Sequence, residues 1–273
     1  MIRARRIAGA LGAELSGVDL SRPLAPETAA ELRRLWLEHL VVFFRDQALT
    51  PAQFMAFAQQ FGEPIEYPLV KGLPDFPKII EVKKLEHERV AFGGIWHTDT
   101  AYLERPPMAS MLLARELPPA GGDTLFANMH AAFDALSAGM KALLLTLKAI
   151  NSSAKADASK TREDRIRTDG KEPSEFVAEH PVVRTHPETG RKALYVNSGH
   201  TVRFAGWTEE ESAPLLGFLF DFQVKPEFTC RFAWQPGSIA LWDNRCAQHN
   251  PVNDYHGHRR LMHRITLAGD VPR

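Results

Sequence analysis

Two short clusters of histidine and acidic residues, far apart in the chain, hold the side chains best suited to chemistry. His97 and Asp99 lie two residues apart, and His249 ends a second cluster that begins at Asp243. On a strand, a spacing of two points both side chains to the same face. Two imidazoles and one carboxylate on one face of iron(II) leave three positions open, as in non-heme oxygenases. The pattern predicts a metal site formed by His97, Asp99 and His249.

The residues that follow His249 strengthen this prediction. A His-x-Asp pair also arises by chance in a chain with 11 histidines and 33 acidic residues. Two arginines, Arg260 and Arg264, come shortly after His249. An iron site that also binds a dicarboxylate needs such a cation, because a guanidinium pairs a carboxylate through two parallel hydrogen bonds. The arginines therefore favour a site for a metal and a dicarboxylate over a chance pair.

Composition and charge limit the classes to which the chain can belong. With 273 residues, 44% of them hydrophobic, it can bury a large core in a single domain over residues 1–273. A formal net charge of +0 gives no electrostatic basis for binding nucleic acid or an anionic membrane. No run of about 18 apolar residues occurs, so no membrane span is expected.

The two cysteines, Cys230 and Cys246, do not form a disulfide framework, which favours a reducing cytoplasm as the location. Cys246 lies three residues before His249 in the sequence Cys-Ala-Gln-His. We expect it to be a buried structural thiol rather than a reactive one.

The elements that must position these residues are both helices and strands. Apolar periodicity, capping residues and prolines predict helices over 26–40, 50–62, 128–136 and 208–222. Short apolar segments bounded by turn residues predict strands over 41–44, 108–114, 123–126, 182–185, 193–197, 229–234, 238–242 and 261–267. This mixture of α and β elements suggests a double-sheet jelly roll with helices packed around it.

Residues 152–175 differ from the rest of the chain, because they are polar and charged and almost free of large apolar side chains. Two interpretations stay open for this segment. It is either a solvated surface excursion or a mobile lid that becomes ordered when ligands bind.

The motifs together resemble the iron(II)/2-oxoglutarate dioxygenases of the taurine dioxygenase and 2,4-dichlorophenoxyacetate dioxygenase type. The resemblance covers nearly the whole chain and implies a double-stranded β-helix, in agreement with the jelly roll expected above. The motifs that carry it are Trp96-His97-Thr98-Asp99, Glu116-Leu117-Pro118, Gly121-Gly122-Asp123-Thr124, residues 180–187, Trp242-Asp243-Asn244-Arg245 with His249, and residues 259–264.

The resemblance implies a role for each site residue. His97, Asp99 and His249 would bind Fe(II), and 2-oxoglutarate would chelate the metal. Arg260 would pair with the distal carboxylate of 2-oxoglutarate, and Thr124 would donate a hydrogen bond to it. Dioxygen and 2-oxoglutarate would be consumed, giving succinate, carbon dioxide and a hydroxylated substrate that collapses to an aldehyde or ketone if the carbon bears a leaving group. Halogenation is not expected, because related halogenases lack the carboxylate that Asp99 provides.

The substrate is expected to be a small anionic organic molecule. The resemblance places Arg264 at the inner end of the pocket, where it would meet an acid group. The taurine-binding residues of the family are mostly replaced, which argues against taurine itself and for a larger sulfonate, a sulfate ester or an aryloxy or alkyl carboxylate. The replaced positions, which we expect to contact the substrate, are Tyr67, Val70, Gly93 and His200. A taurine dioxygenase proper is the alternative, and a homo-oligomer, a dimer or tetramer, is expected.

His200 has a second interpretation as a histidine of a surface loop. Six further histidines are expected to be structural or exposed, namely His130, His180, His186, His256, His258 and His263. Gly93 and Gly94 are expected to leave extra space for a bulky substrate.

Two functions from other classes also fit parts of the pattern. Two histidines and a carboxylate suit zinc, so a zinc hydrolase is possible, although the arginines and Thr124 would then have no evident role. A non-catalytic jelly-roll binding protein that has lost its metal is the other alternative, and the complete triad argues against it.

Overall fold

The computed structural model of the protein describes residues 2–155 and 175–273. These residues form α-helices α1 (Pro26–His39), α2 (Pro51–Gln59), α3 (Met129–Asp134), α4 (Ala138–Leu144) and α5 (Glu209–Phe222). A short 3-10 turn covers Pro226–Phe228. In this part of the chain, none of the helices is long and apolar enough to cross a bilayer.

The described residues also form strands that pair into sheets. The strands in the first half are β1 (Arg3–Arg6), β2 (Ala13–Ser16), β3 (Val41–Phe44), β4 (Pro64–Ile65), β5 (Ile79–Lys84), β6 (Ala109–Glu116), β7 (Thr124–Asn128) and β8 (Lys148–Ser152). Those in the second half are β9 (Val177–Pro181), β10 (Val183–Thr185), β11 (Lys192–Leu194), β12 (Thr201–Phe204), β13 (Thr229–Phe232), β14 (Ile239–Asp243), β15 (Ala247–Pro251) and β16 (Arg260–Leu267).

Local sequence explains where the larger helices begin. Thr50 caps α2 and exchanges hydrogen bonds with Gln53, and Thr208 does the same with Glu211 at the start of α5. Such reciprocal bonds satisfy amide groups that have no partner within the helix. Pro26 stands at the first position of α1, where the missing amide hydrogen costs nothing.

The main sheet has the strand order β1-β2-β3-β14-β6-β16-β4, with β5 also paired to β16. Its pairs are antiparallel except for the parallel pair of β2 and β3. The middle of this sheet is therefore β14, β6 and β16, three strands that are far apart in sequence. Three smaller sheets have the orders β13-β7-β15, β12-β8-β9 and β10-β11.

The two faces of the main sheet pack against different partners, because successive side chains of a strand point in opposite directions. In β3, Val42 and Phe44 belong to a cluster with α1 and α2, which includes Trp36 and Phe57. Val41 and Phe43 belong to the other cluster, together with residues of β7 and β13. Both faces are thus buried, which explains why β3 is apolar at every position.

The sequence predicted most of these elements within a few residues, and the mixed α and β composition is confirmed. The elements that were not predicted include helix α4 and strands β1, β2, β5, β8, β9, β12 and β15. The two-residue strand β4 was not predicted either. The predicted lid, residues 152–175, lies almost entirely outside the described residues.

The contact between the main sheet and the β13-β7-β15 sheet generates a prediction about stability. Phe43 is fully buried, stacks on Phe232 with ring centroids 3.9 Å apart, and meets Phe126 edge-on at 5.6 Å. We expect Phe43→Ala to lower the free energy of unfolding by about 3–5 kcal/mol, as measured by denaturant unfolding. Phe218, which is 46% exposed, is the control, and Phe218→Ala should cost less than about 1 kcal/mol. Equal losses in the two variants would contradict this packing.

Candidate active site

The candidate site lies between the main sheet and the β13-β7-β15 sheet. His249 is on β15, and His97 forms an isolated bridge with it outside the regular strands. The His97 amide donates to the His249 carbonyl at 3.0 Å, and the His249 amide donates to the His97 carbonyl at 2.9 Å. This reciprocal pair places the two imidazoles side by side, with ring centroids 4.2 Å apart.

The structure brings the three predicted metal ligands together. One ligand atom from each of His97, Asp99 and His249 lies within 4.8 Å of the others. The Nε2 atoms of His97 and His249 lie 3.5 Å and 3.8 Å from Asp99 Oδ1. These distances are too long for hydrogen bonds but suit donors around one ion, since two ligand atoms each about 2.1 Å from a metal can be up to about 4.2 Å apart.

The backbone near Asp99 differs from the strand that the spacing suggested. Only His97 takes part in a bridge, while Asp99 and Thr100 lie in a turn. Thr100 has a positive φ of 41°, which is uncommon for a residue other than glycine. The turn, rather than the alternation of a strand, brings Asp99 to the same place as His97. The three residues lie close together as predicted, but the local structure given as the reason is wrong.

The Asp99 carboxylate is buried and held ionised by its neighbours. Arg264 Nη2 lies 2.7 Å from Oδ2, and the Ser110 hydroxyl donates to the same oxygen at 2.5 Å. Burial alone would raise the pKa of Asp99, but Arg264, His249 and His97 hold this pKa well below its usual range. Burial also lowers the pKa of His249 well below its usual range, so its ring is neutral, as a metal ligand must be.

A cleft opens beside His97 and His249. Its positive charges are on Lys83, Lys84, Arg260 and Arg264, and no Asp or Glu among the described residues lines it. Its other lining residues are Val82, Ala91, Phe92, Gly93, His97, Leu112, Thr124, Phe126, Trp242, His249, Pro251 and Tyr255. The cleft is therefore apolar with cationic groups.

Arg260 is the buried cation at one end of this cleft. Its guanidinium carbon lies 5.8 Å from the ring of Trp234 and 5.9 Å from that of Tyr255. Its Nε and Nη2 atoms have no hydrogen-bond partner among the described residues. Burial lowers the pKa of Arg260, which reflects how little compensates its charge. A buried guanidinium with free donors suits an anionic ligand.

Thr124 lies on β7 near Arg260 and lines the same cleft. Its hydroxyl oxygen accepts a hydrogen bond from Trp234 Nε1 at 2.9 Å. Because the indole can only donate, the hydroxyl hydrogen of Thr124 stays available for another acceptor. Gly122 has a φ of +71°, and a Cβ there would lie 3.2 Å from the Arg260 side chain, so glycine allows the turn to approach the arginine.

The four residues expected to contact the substrate lie at different depths. Gly93 lines the cleft, but a Cβ there would come within 3.0 Å of the His97 ring. Gly93 therefore permits close packing on a ligand of the metal, instead of leaving extra space as expected. Tyr67 lies behind Arg264, with the guanidinium carbon 5.0 Å from its ring, and packs with Val70. Neither of these two is among the residues that line the cleft.

His200 is buried, so its interpretation as a surface histidine is wrong. Its ring lies 5.9 Å from His97 and 4.9 Å from Tyr102, and burial lowers its pKa to about 3. The ring is therefore neutral near neutral pH and supports His97 from behind.

Sequence reasoning missed several buried polar residues around the triad, namely Ser110, Tyr102, Lys84, Asn244 and Tyr255. Lys84 is 3% exposed and faces Arg260 across the pair of β5 and β16. Its Nζ lies 4.3 Å from the centre of the Tyr255 ring. A charged residue that ends an apolar strand was the available signal for Lys84. Ser110 gave no signal, because a serine in an apolar strand is unremarkable in sequence.

A second cluster of possible ligands contains His186, Asp243 and Cys246. Here Asp243 already binds Arg245 at 2.7 Å and His186 at 3.0 Å, and Arg245 also binds Glu188 at 2.6 Å. A cation thus already balances the carboxylate, and the cluster is a structural ion-pair network that joins the β10–β11 turn to β14. Burial raises the pKa of the Cys246 thiol well above its usual range, in agreement with a structural role.

The other histidines follow the expectation that they are structural or exposed. The buried ones are His130, His180, His186 and His263, and the exposed ones are His256 and His258.

Comparisons with known proteins identify a matching family, similar sequences and a similar solved structure. The family model described as taurine catabolism dioxygenase TauD, TfdA family matches residues 3–266. An alkylsulfatase of Acinetobacter baylyi is 35% identical, over 99% of this chain and 86% of its own. An alpha-ketoglutarate-dependent sulfate ester dioxygenase of Pseudomonas putida is 35% identical, over 97% of this chain and 89% of its own. The crystal structure of a taurine dioxygenase from Burkholderia xenovorans is 37% identical with a TM-score of 0.83, covering 99% of this chain and 90% of that chain.

The triad generates a prediction about metal binding. Asp99→Ala removes one of three ligands and leaves Arg264 buried without its partner. We expect the affinity for a divalent metal to fall at least tenfold in an equilibrium titration, and the free energy of unfolding to fall by about 3–5 kcal/mol. Glu116→Ala is the control, because Glu116 is an exposed carboxylate that pairs with Arg259 at the surface. Metal affinity that is the same in Asp99→Ala and in the wild type would exclude Asp99 as a ligand.

Proposed function

Because this chain belongs to the TauD/TfdA dioxygenase family, we propose that it is an Fe(II)- and 2-oxoglutarate-dependent dioxygenase that hydroxylates an anionic organic substrate. The single observation that carries the proposal is the convergence of His97, Asp99 and His249 beside a cleft that contains Arg260, whose Nε and Nη2 atoms have no hydrogen-bond partner among the described residues. The family and the dioxygenase class expected from the sequence are confirmed by the match over residues 3–266.

The donor set supports iron as the metal. His97 Nδ1 lies 2.7 Å from the carbonyl of Ile95, which makes it the protonated nitrogen and leaves the Nε2 lone pair for a metal. His249 Nε2 faces the same oxygen of Asp99. Two neutral imidazoles and one carboxylate on one side of an ion leave the other side open, as an oxygenase requires. When bound, the iron supplies the activation of dioxygen that couples decarboxylation of 2-oxoglutarate to hydroxylation of the substrate.

The protein supplies binding, orientation and exclusion of water. Arg260 would pair with the distal carboxylate of 2-oxoglutarate, and the free hydroxyl hydrogen of Thr124 would bond to the same group. The keto acid end of the co-substrate would then point toward the triad, because both groups lie in one cleft with His97 and His249. Phe126 and Trp242 pack around His249 and keep this end of the cleft apolar.

The charges of the cleft support an anionic substrate. Arg264 would receive its acid group, although one guanidinium nitrogen already binds Asp99. Gly93 lines the entrance side, while Tyr67, Val70 and His200 would shape the pocket from behind Arg264 and His97. The relatives that act on sulfate esters and the absence of acidic side chains from the described cleft favour an organosulfonate, a sulfate ester or an aryloxy or alkyl carboxylate.

The finer architecture is also part of this proposal. We infer a double-stranded β-helix, or jelly roll, in one domain over residues 1–273. The packing of the main sheet on the β13-β7-β15 sheet, with the triad between them, supports it. A dimer or tetramer and a cytoplasmic location stay predictions, and light scattering on the purified protein will decide the first.

The zinc hydrolase remains the alternative from another class, and one experiment separates it from the oxygenase. The purified protein is incubated with Fe(II), 2-oxoglutarate and a panel of sulfonates, sulfate esters and aryloxyacids, while dioxygen uptake and succinate are measured. Substrate-dependent formation of succinate with matching dioxygen uptake supports the proposal. Turnover with Zn(II) and without dioxygen would establish the hydrolase instead.

The role of Arg260 generates a prediction about co-substrate binding. A charge-assisted bidentate bond in a buried site is worth roughly 2–5 kcal/mol on truncation. Arg260→Ala should therefore raise the KM for 2-oxoglutarate by well over tenfold, and Thr124→Val should raise it less. Arg231→Ala serves as the control, because Arg231 is a surface arginine that pairs with Asp123. An unchanged KM in Arg260→Ala would mean that another cation binds the distal carboxylate.

The absence of carboxylates from the cleft lining generates a prediction about selectivity. Taurine carries an ammonium group, which would lie among cationic side chains with no acidic partner in the described part of the cleft. Ethanesulfonate has a similar length and no amine. We expect kcat/KM for ethanesulfonate to exceed that for taurine by about tenfold or more, since an unsolvated, unpaired charge is costly. A larger kcat/KM for taurine would show that the ammonium finds a partner and would favour a taurine dioxygenase proper.

A further inference from the structure

We propose that Trp242, Asn244 and Ser110 form a hydrogen-bond relay that orients the Asp99 carboxylate for metal binding. The inference rests on the proposed function, because it assumes that Asp99 is a metal ligand. It assigns a positioning role to three residues outside the triad.

Three consecutive hydrogen bonds make up the relay. Trp242 Nε1 donates to Asn244 Oδ1 at 2.9 Å, and Asn244 Nδ2 donates to Ser110 Oγ at 3.0 Å. Ser110 Oγ then donates to Asp99 Oδ2 at 2.5 Å. Each of the four residues is at most 2% exposed, so solvent does not compete for these bonds.

The direction of every bond in the relay follows from the chemistry of its first member. An indole nitrogen can only donate, so the Asn244 amide must turn its oxygen toward Trp242. Its NH₂ group then faces Ser110, whose oxygen accepts that bond. The Ser110 hydroxyl hydrogen is consequently directed to the next acceptor, Asp99. The relay thus ends in a donor aimed at a carboxylate, an arrangement that favours the ionised form.

The last hydrogen bond of the relay fixes the orientation of the Asp99 carboxylate relative to the metal position. Oδ2 accepts the hydrogen bond from Ser110 Oγ at 2.5 Å and lies 2.7 Å from Arg264 Nη2. Oδ1 faces the Nε2 atoms of His97 and His249. Rotation of the carboxylate out of this orientation would break both contacts at Oδ2. The relay therefore holds Asp99 with one oxygen, and not both, toward the metal position.

The start of the relay connects Asp99 to a second ligand. The Trp242 ring packs on His249 with centroids 4.7 Å apart, while its indole nitrogen begins the chain of hydrogen bonds. Ser110 and Trp242 are register partners on β6 and β14, which explains how neighbouring strands of the main sheet bring the members together. One tryptophan thus restrains two of the three ligands before a metal binds.

Metal affinity of the apo protein tests the relay without reference to turnover. Apo protein is titrated with Co(II), and both the dissociation constant and the ligand-field absorption spectrum of the bound ion are recorded. Ser110→Ala removes the donor at Oδ2, and we expect a dissociation constant about 10- to 100-fold higher with an altered spectrum. Thr98→Val is the matched control, because Thr98 is a buried hydroxyl beside the triad that donates to the Ala247 carbonyl and not to Asp99.

Asn244→Asp tests the direction of the hydrogen bonds in the relay. It also tests the proposal by itself if Ser110→Ala does not fold. A carboxylate cannot donate to Ser110, so the Ser110 hydroxyl would turn from Asp99 to the new acceptor. The added negative charge by itself would strengthen cation binding, whereas the relay predicts weaker binding. The double variant should bind no more weakly than Ser110→Ala, because both changes act through the same hydroxyl.

Two outcomes would overturn the inference while the proposed function stands. One is wild-type affinity and an unchanged spectrum in folded Ser110→Ala, and the other is tighter binding in Asn244→Asp. A wild-type protein that binds no divalent ion would instead overturn the proposed function, and this inference with it.

Discussion

The carboxylate of Asp99 is 2% exposed and lies between two sheets, where a charge without partners would be very costly. The surrounding structure compensates it with the Arg264 guanidinium and the Ser110 hydroxyl on one oxygen and with two imidazoles facing the other. Each of these partners comes from a different segment of the chain. The need to satisfy this one buried charge therefore links the turn after His97 to β6, β15 and β16.

The main sheet makes such a concentration of polar groups tolerable. Its outer face packs on α1 and α2 through a fully apolar cluster. That face therefore stabilises the fold and contributes no residue to the candidate site. Its inner face carries Leu112, Met262 and Trp242 among the site residues. Because side chains alternate along a strand, the same strands supply the apolar core on one side and the site on the other. Arg260 and Arg264 belong to this inner face, with Met262 between them.

Cations without matching acids define what the cleft can bind. Asp99 neutralises part of the charge of Arg264, whereas two nitrogens of Arg260 have no hydrogen-bond partner among the described residues. The ammonium of Lys84 lies 3.5 Å from the carbonyl oxygen of Tyr255 and 4.3 Å from the centre of its ring. A dicarboxylate co-substrate and an anionic substrate would together compensate this excess of positive charge. The same excess disfavours a ligand that carries an ammonium group. The charges thus connect co-substrate binding and substrate selection in one cleft.

Local signals in the sequence determined much of this protein. The caps at Thr50 and Thr208 and the apolar run of β3 predicted elements that the structure contains. The residue types at positions 97, 99 and 249, with the arginines that follow, predicted the members of the site. These features can be recognised in the sequence because helix capping, the alternation of strand side chains and metal-ligand chemistry depend on side-chain type and short spacing.

Only the tertiary structure decided how those members are held. The spacing of His97 and Asp99 suggested a strand, but a bridge to His249 and a turn at Thr100 bring them together. Gly93 suggested open space, but it packs against His97. Ser110 gave no signal, and Asn244 stood in a family motif without a role, since the role of both depends on β6 and β14 being neighbours in the sheet. Contacts between distant segments are set by strand order and burial, which no local pattern in a single sequence records.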